Sequence, residues 1–201
     1  MSTICTDAGH GGDKPGAIWG NIMEKDLNLT YVLALNAELR QRGHQVFTTR
    51  RSDSNVTPLI TRCQLINEHH QRNSPKFDAI ISLHCDVAVV LDQETGEYRP
   101  RPNVQGLYAI YSRESVQSTA LAKAIADTCQ NSDLKLNHGG MMSTIQLGRN
   151  LAWIHRTIPT ATLLELGYMT NPEELENLQR DIYRTKLVKS IADGIDAFLS
   201  N

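Results

Sequence analysis

The sequence predicts one α/β domain, a central and mostly parallel twisted sheet with helices on both faces. Three observations carry that prediction. Apolar runs of strand length alternate with amphipathic runs of helix length from one end of the chain to the other. No repeat, low-complexity stretch or Pro/Ser-rich linker divides the 201 residues. The composition, 40% hydrophobic and 21% charged, is that of an ordinary globular protein with enough chain to bury a core.

In chain order, residues 4–7 form a short strand running into a glycine-rich loop, 9–20. Residues 24–42 read as a helix with Tyr31, Val32, Leu35 and Leu39 on one face and Gly43 as its stop. A strand at 45–49 follows. Thr57 and Pro58 supply N-cap and N1 signals for a second helix, which carries Ile60, Cys63 and Ile66 towards a polar end at His69–Arg72. Residues 78–84 are a continuous apolar strand. The connection 87–105 is long, and Glu94-Thr95-Gly96 marks a hairpin turn within it. A strand at 106–111 precedes an amphipathic helix, 115–128, with Val116, Ala120, Ala124 and Ile125 on one side. A glycine-containing loop is expected at 137–149, a strand at 160–166, and helices at 172–178 and 183–199.

Several function classes are excluded early. The 20 Lys+Arg against 22 Asp+Glu give a net charge of -2, without the basic surface that nucleic acid demands. No apolar run approaches the ~18–20 residues of a membrane span, so no stable insertion is expected. Cysteines 5, 63, 85 and 129 have neither zinc-ribbon nor CxxC spacing and read as small buried hydrophobes. The first residues, MSTICTDAGHGG, show neither a charged region nor an apolar stretch of the signal-peptide kind.

In open parallel sheets, ligands bind beyond the carboxyl ends of the strands. Three strands end in chemistry: at Asp7–His10, at 82–86, and at 164–167. In the loop DAGHGGDKPGAIWG, a flexible surface loop, a phosphate cradle and a metal-bearing loop are the readings. The cradle fits poorly, because neither GxGxxG nor a P-loop ending is present. Glu24 opens a helix, where the macrodipole alone explains a glutamate. His84 ends an apolar strand, where a hydrogen-bonded core histidine is the plainer reading. Glu165 follows Thr162-Leu163-Leu164 and is costly to bury unless paired or used. Brought to one sheet edge, two histidines and a carboxylate make an open zinc site with water in the fourth position, and a further glutamate can accept a proton.

The ordered set D-A-G-H-G-G, Glu24 followed by K-D-L-N-L, T-R at 49–50, Arg62, S-L-H at 82–84, G-L-Y-A-I-Y at 106–111 and E-L-G-Y-M-T-N at 165–171 closely resembles the zinc-dependent N-acetylmuramoyl-L-alanine amidases of the Amidase_3 type, found in bacterial autolysins and phage endolysins. The resemblance spans about residues 4–199. It implies one zinc ion per chain held by His10, Glu24 and His84, with Glu165 as the catalytic glutamate. It implies peptidoglycan as substrate, cut by zinc-activated water at the amide between N-acetylmuramic acid and the L-alanine of the stem peptide. Ala8 replaces a frequent proline, and Cys85-Asp86 replaces the usual Ala-Asn. Asp86 is a loop hydrogen bonder or a charge near the metal. His138 and His155 fall near positions where the family often carries arginine and are candidate substrate contacts. The 87–105 connection exceeds the family minimum and is a candidate flap beside the groove.

The competing readings are a zinc peptidase cutting within the stem peptide and an inactive wall-binding module. With no separate wall-binding domain in residues 1–201, affinity for the wall would come from the catalytic domain, and no protein partner is implied. The expected setting is a phage or prophage lysin that waits in the host bacterial cytoplasm before release to the cell wall. The alternative is an exported autolysin whose leader has been removed.

Overall fold

The apolar run at 78–84 becomes the middle of the sheet. In the computed structural model, which describes residues 1–53, 56–72 and 75–201, it lies within a strand whose residues Ala79 to Leu83 are buried on both faces. The elements along the chain are β1 (Thr3–Ala8), the short pair β2 (Ile18–Trp19) and β3 (Ile22–Met23), α1 (Glu24–Gln41), β4 (Gln45–Thr48), α2 (Leu59–Arg72), the central β5 (Ala79–Asp86), the pair β6 (Val89–Leu91) and β7 (Tyr98–Pro100), β8 (Leu107–Tyr111), α3 (Val116–Asn131), β9 (Leu136–Ser143), α4 (Thr144–Leu147), α5 (Ala152–His155), β10 (Ala161–Tyr168), α6 (Pro172–Gln179) and α7 (Asp181–Leu199).

The main sheet has the order β4-β1-β5-β10-β8-β9. Neighbours are parallel except β10 and β8, which are antiparallel, so β8 and β9 run against the other four strands. The single α/β domain with a mostly parallel sheet is therefore as the sequence predicts. Period-two alternation divides its core in two. Ile4, Ile81, Leu83, Leu164 and Leu166 face one cluster with α1, α3 and α7. Cys5, Ile80, Ala161 and Leu163 face another with Ile66 of α2 and Trp153 of α5. The chain steps outward from β1 to β4 and then back across β1 to β5, so the crevice at the carboxyl ends of β1 and β5 is a switch point of the kind that holds ligands.

Two local expectations are corrected. On α3 the buried stripe is Ser118, Leu121, Ala122, Ile125, Ala126 and Cys129, whereas Val116 is 81% exposed. The helix is rich in alanine, so apolar spacing alone sets its phase weakly; Ser118 is buried because its hydroxyl donates to the Ala161 carbonyl at 2.6 Å. Residues 137–149 are not a loop throughout: 136–143 pair with β8 as an edge strand, and a four-residue helix follows. Gly139 and Gly140, both at positive φ, break the alternation by which a strand is recognised. The turn expected at 94–96 does join two strands, β6 and β7, whose residues are all exposed.

Where β1 ends, the chain is held by buried charge. Arg62 of α2 pairs with Asp7 at 2.9 Å and donates to the carbonyls of Ala8 and His10 at 3.0 and 2.7 Å. Arg50 donates to the carbonyls of Ala8, Gly9 and Lys25 at 3.0, 3.2 and 2.7 Å. The Thr49 and Ser82 hydroxyls complete the Asp7 carboxylate at 2.5 and 2.7 Å. Arg62→Met strands a buried carboxylate and takes the guanidinium from the His10 carbonyl, while Arg50 still holds that of Ala8. The expected cost is about 3–5 kcal/mol, read as a fall in the midpoint of denaturant unfolding; an unchanged midpoint would show that the pair does not hold this loop.

Candidate metal centre and active site

Each element ending in this crevice brings one side chain. The loop after β1 places His10 at φ 63, a left-handed conformation uncommon for a residue with a side chain. The backbone N–H groups of Glu24 and Lys25, at the start of α1, donate to the carbonyls of Ala17 and Pro15 at 2.8 and 3.0 Å. The loop itself thus caps the helix, and the Glu24 carboxylate turns inward, 6% exposed. The parallel register of β5 and β10 sets Glu165 directly beside His84.

The three candidate ligands meet. His10 Nε2 lies 3.1 Å from Glu24 Oε2, His84 Nδ1 lies 2.9 Å from Glu24 Oε1, and the ligand atoms of all three residues fall within 4.8 Å of one another. Glu24 is further held by the backbone N–H of Ala17 at 2.9 Å, the Asn28 amide at 3.1 Å and the Cys85 N–H at 3.3 Å. Burial pushes the Glu24 carboxyl up, but its hydrogen bonds with His10 and His84 outweigh that and hold it well below the usual carboxylate range. The surrounding backbone leaves no slack. A Cβ on Gly16, at φ 70, would stand 2.3 Å from Glu24 Oε2, and one on Gly9 would stand 2.2 Å from His84 Cε1. An ionised carboxylate between two imidazoles, in a cradle that only glycine permits, fits a single zinc ion with open coordination.

The site opens into a cavity of about 470 Å³ that Asp86, Arg149, Trp153 and Glu165 also line. Glu165 Oε2 is buried with no hydrogen-bond partner among the described residues. Burial, together with the charges of Asp86 and Glu24, pushes the Glu165 carboxyl well above its ordinary value, and Arg149 pulls the other way. Asp86 is also pushed up by burial, against hydrogen bonds from the Tyr108 hydroxyl at 2.8 Å and the Val87 N–H at 2.7 Å. A second cavity, of about 300 Å³, shares His10, Leu59 and His84 with the first and is bordered by Asp13, Lys14 and Thr57.

Of the residues singled out in the sequence, His10, Glu24, His84, Asp86 and Glu165 come together. His138 and His155 do not line either cavity. His138 is exposed on β9 and meets the edge of Tyr108 at 5.1 Å between ring centroids. His155 is 3.1 Å from the Thr144 hydroxyl. Sequence reasoning missed Asn28 and Arg149. The signal for Asn28 was its place four residues after Glu24, on the same helix face. Arg149 lay at the end of what read as a loop.

Gly16→Ala should weaken metal binding by about 10–100-fold, the usual effect of disturbing groups that orient metal ligands. Titration of metal-free protein measures it; unaltered affinity would show the cradle to be slack.

Similarity to known proteins points the same way as the geometry. The chain is 28% identical over 199 residues to the germination-specific N-acetylmuramoyl-L-alanine amidase of Bacillus subtilis, covering 96% of this chain and 77% of that protein. It is 27% identical over 201 residues to the probable cell wall amidase LytH of Staphylococcus aureus, where it spans 58% of the relative's length. Among solved structures, the amidase AmiC2 of Nostoc punctiforme superimposes with a TM-score of 0.80 at 27% identity, covering 100% of this chain and 98% of that one. Residues 4–197 match the family model described as N-acetylmuramoyl-L-alanine amidase. With nearly its whole length matched and the His-Glu-His cluster in place, the chain belongs to the Amidase_3 family of hydrolases.

Proposed function

We propose that this chain hydrolyses the amide joining the lactyl group of N-acetylmuramic acid to L-alanine in peptidoglycan, using one zinc ion. The observation that carries the reading is the meeting of a His10, Glu24 and His84 donor set with a buried Glu165 carboxyl that has an oxygen to spare. When bound by these three side chains, zinc supplies a Lewis acid for the amide oxygen and lowers the pKa of water from 15.7 towards about 7. Glu165 takes the proton from the attacking water and carries it to the alanine nitrogen, which leaves as a neutral amine. Burial, together with the Glu24 and Glu165 charges, holds the Cys85 thiol protonated, so no thiolate competes as a nucleophile. No helix of the described residues is long and apolar enough to cross a membrane.

Analysis of digested wall tests the reading. An amidase releases new alanine amino termini and leaves unsubstituted muramic acid; a different amino terminus would identify a peptidase, and no product a binding module. We extend the proposal to a lysin setting, in view of the endolysins within the resemblance. Expressed inside a Gram-negative cell, the protein should leave cells intact until the inner membrane is permeabilised; enzyme active in the periplasm of sound cells would instead mark an autolysin.

Two substitutions separate binding from chemistry. His10→Ala and His84→Ala should lower zinc content and activity together. Glu165→Gln keeps the shape but removes the base. It should retain zinc and a folded spectrum while the rate falls roughly 10²–10⁴-fold. Loss of zinc from the glutamine variant would make Glu165 a ligand, and an undiminished rate would remove it from the reaction.

A further inference from the structure

The site cavity is lined by three carboxylates, Glu24, Asp86 and Glu165, and by one guanidinium, that of Arg149. The buried arginines near the site are saturated: Arg50 and Arg62 spend their donors on loop carbonyls and Asp7. Arg149 differs. Its side chain is exposed and makes no hydrogen bond or ion pair among the described residues. Its backbone is pinned on both sides. A reciprocal cap between Ser143 and Gln146 fixes the start of α4, Gly148 ends it at φ 73, and the Arg149 N–H returns to the Thr144 carbonyl at 3.3 Å. A few residues on, Trp153 anchors α5 through its indole N–H to the Thr162 carbonyl at 3.1 Å. A cation held at the mouth of an acidic cavity, with all its donors unused, suits a planar anion that approaches with substrate.

The proton transfer proposed for Glu165 indicates which part of the substrate this is. Glu165 delivers its proton to the departing alanine nitrogen, so the peptide side of the scissile amide lies in the cavity that Glu165 and Arg149 share. The second cavity, which also borders His10 and His84 but not Glu165, is left for the muramoyl side. In a stem peptide, the residue after L-alanine is a glutamate joined through its side chain, whose α-carboxylate stands either free or amidated.

We propose that Arg149 receives this free α-carboxylate and makes the enzyme selective for stem peptides in which it is not amidated. The inference rests on the amidase reading above. Arg149 is a specificity-determining residue: it offsets the repulsion that the three cavity carboxylates would otherwise exert on an anionic peptide.

The test uses two soluble muropeptides that differ only in that group, acid or primary amide, with products assigned by mass. The intact protein should cleave the acid with about 10–100-fold higher kcat/KM, the scale of a charge-assisted hydrogen-bonded pair. In Arg149→Ala the acid-over-amide ratio should collapse towards one, with the loss on the acid carried by KM. Arg149→Lys, which keeps the charge but not the fork, should restore part of the ratio. An exposed side chain without partners should also leave the unfolding midpoint nearly unmoved. Correct cleavage at the muramoyl–alanine bond with no preference for the acid overturns this inference alone. So does an Arg149→Ala effect on kcat that is equal for both substrates, which would place the guanidinium in the service of Glu165. Cleavage at another bond overturns both this inference and the amidase reading.

Discussion

Three consecutive backbone carbonyls, those of Ala8, Gly9 and His10, turn inward at the end of β1, and two buried arginines collect them. Buried carbonyls must be paired, and here no helix or sheet ladder is available to do it. Arg50, from the end of β4, and Arg62, from α2, reach across instead, with Asp7 as the anion that makes a buried guanidinium tolerable. The arrangement fixes His10 in its left-handed conformation and so aims it at Glu24. It also ties the two parts of the chain that flank β1 to the loop that carries the first candidate ligand. The Asn28 amide adds a last contact, to the Gly9 carbonyl at 3.2 Å, from the same helix that carries Glu24.

From that anchor, sheet register distributes the remaining groups. Asp7 is level with Ser82 and Ala8 with Leu83, so β1 ends just where β5 reaches His84. Glu165 is level with His84, so β10 carries its carboxylate to the same point before running on to Tyr168. A slip of one residue in β10 would send Glu165 into the core packed under α1 and bring Leu164 or Leu166 into the cavity. Strong apolar residues on both faces of β5 and β10 make such a slip costly. The precision of the site is thus a by-product of packing in a strand buried on both sides.

The strand and helix order was legible because the runs are long and their boundaries are marked by glycine, proline and polar residues. The candidate site residues were legible for a different reason: His10, His84 and Glu165 each end or follow an apolar strand at one edge of the sheet, and together they carry more than any one of them alone. Glu24 was ambiguous, since a glutamate in a first helical turn is explained by the dipole. Only the loop carbonyls that cap α1 show that the side chain is released from that duty. The edge strand β9 was illegible because paired glycines at positive φ imitate a loop, and with it went the position of Arg149. His138 and His155 drew attention as polar residues near family arginines. Distance from the cavity is a tertiary fact that no local pattern encodes.

Asp86 and Glu165 show how one cavity distinguishes two carboxyl groups. Both are driven up by burial and by the charge of Glu24, and the Asp86 charge raises Glu165 further. Their lone pairs are spent differently. One Asp86 oxygen accepts the Tyr108 hydroxyl and the other the Val87 N–H, so this carboxylate is engaged in holding the start of the 87–105 connection against β8. Glu165 keeps Oε2 free and faces the three-ligand cluster through the cavity. A group that carries a proton between two atoms needs an oxygen with no standing partner, since every fixed donor on it must be broken at each transfer. Availability of a lone pair, more than acidity, is what assigns the proton to Glu165 in the proposed reaction and leaves Asp86 as the hydrogen bonder of the loop.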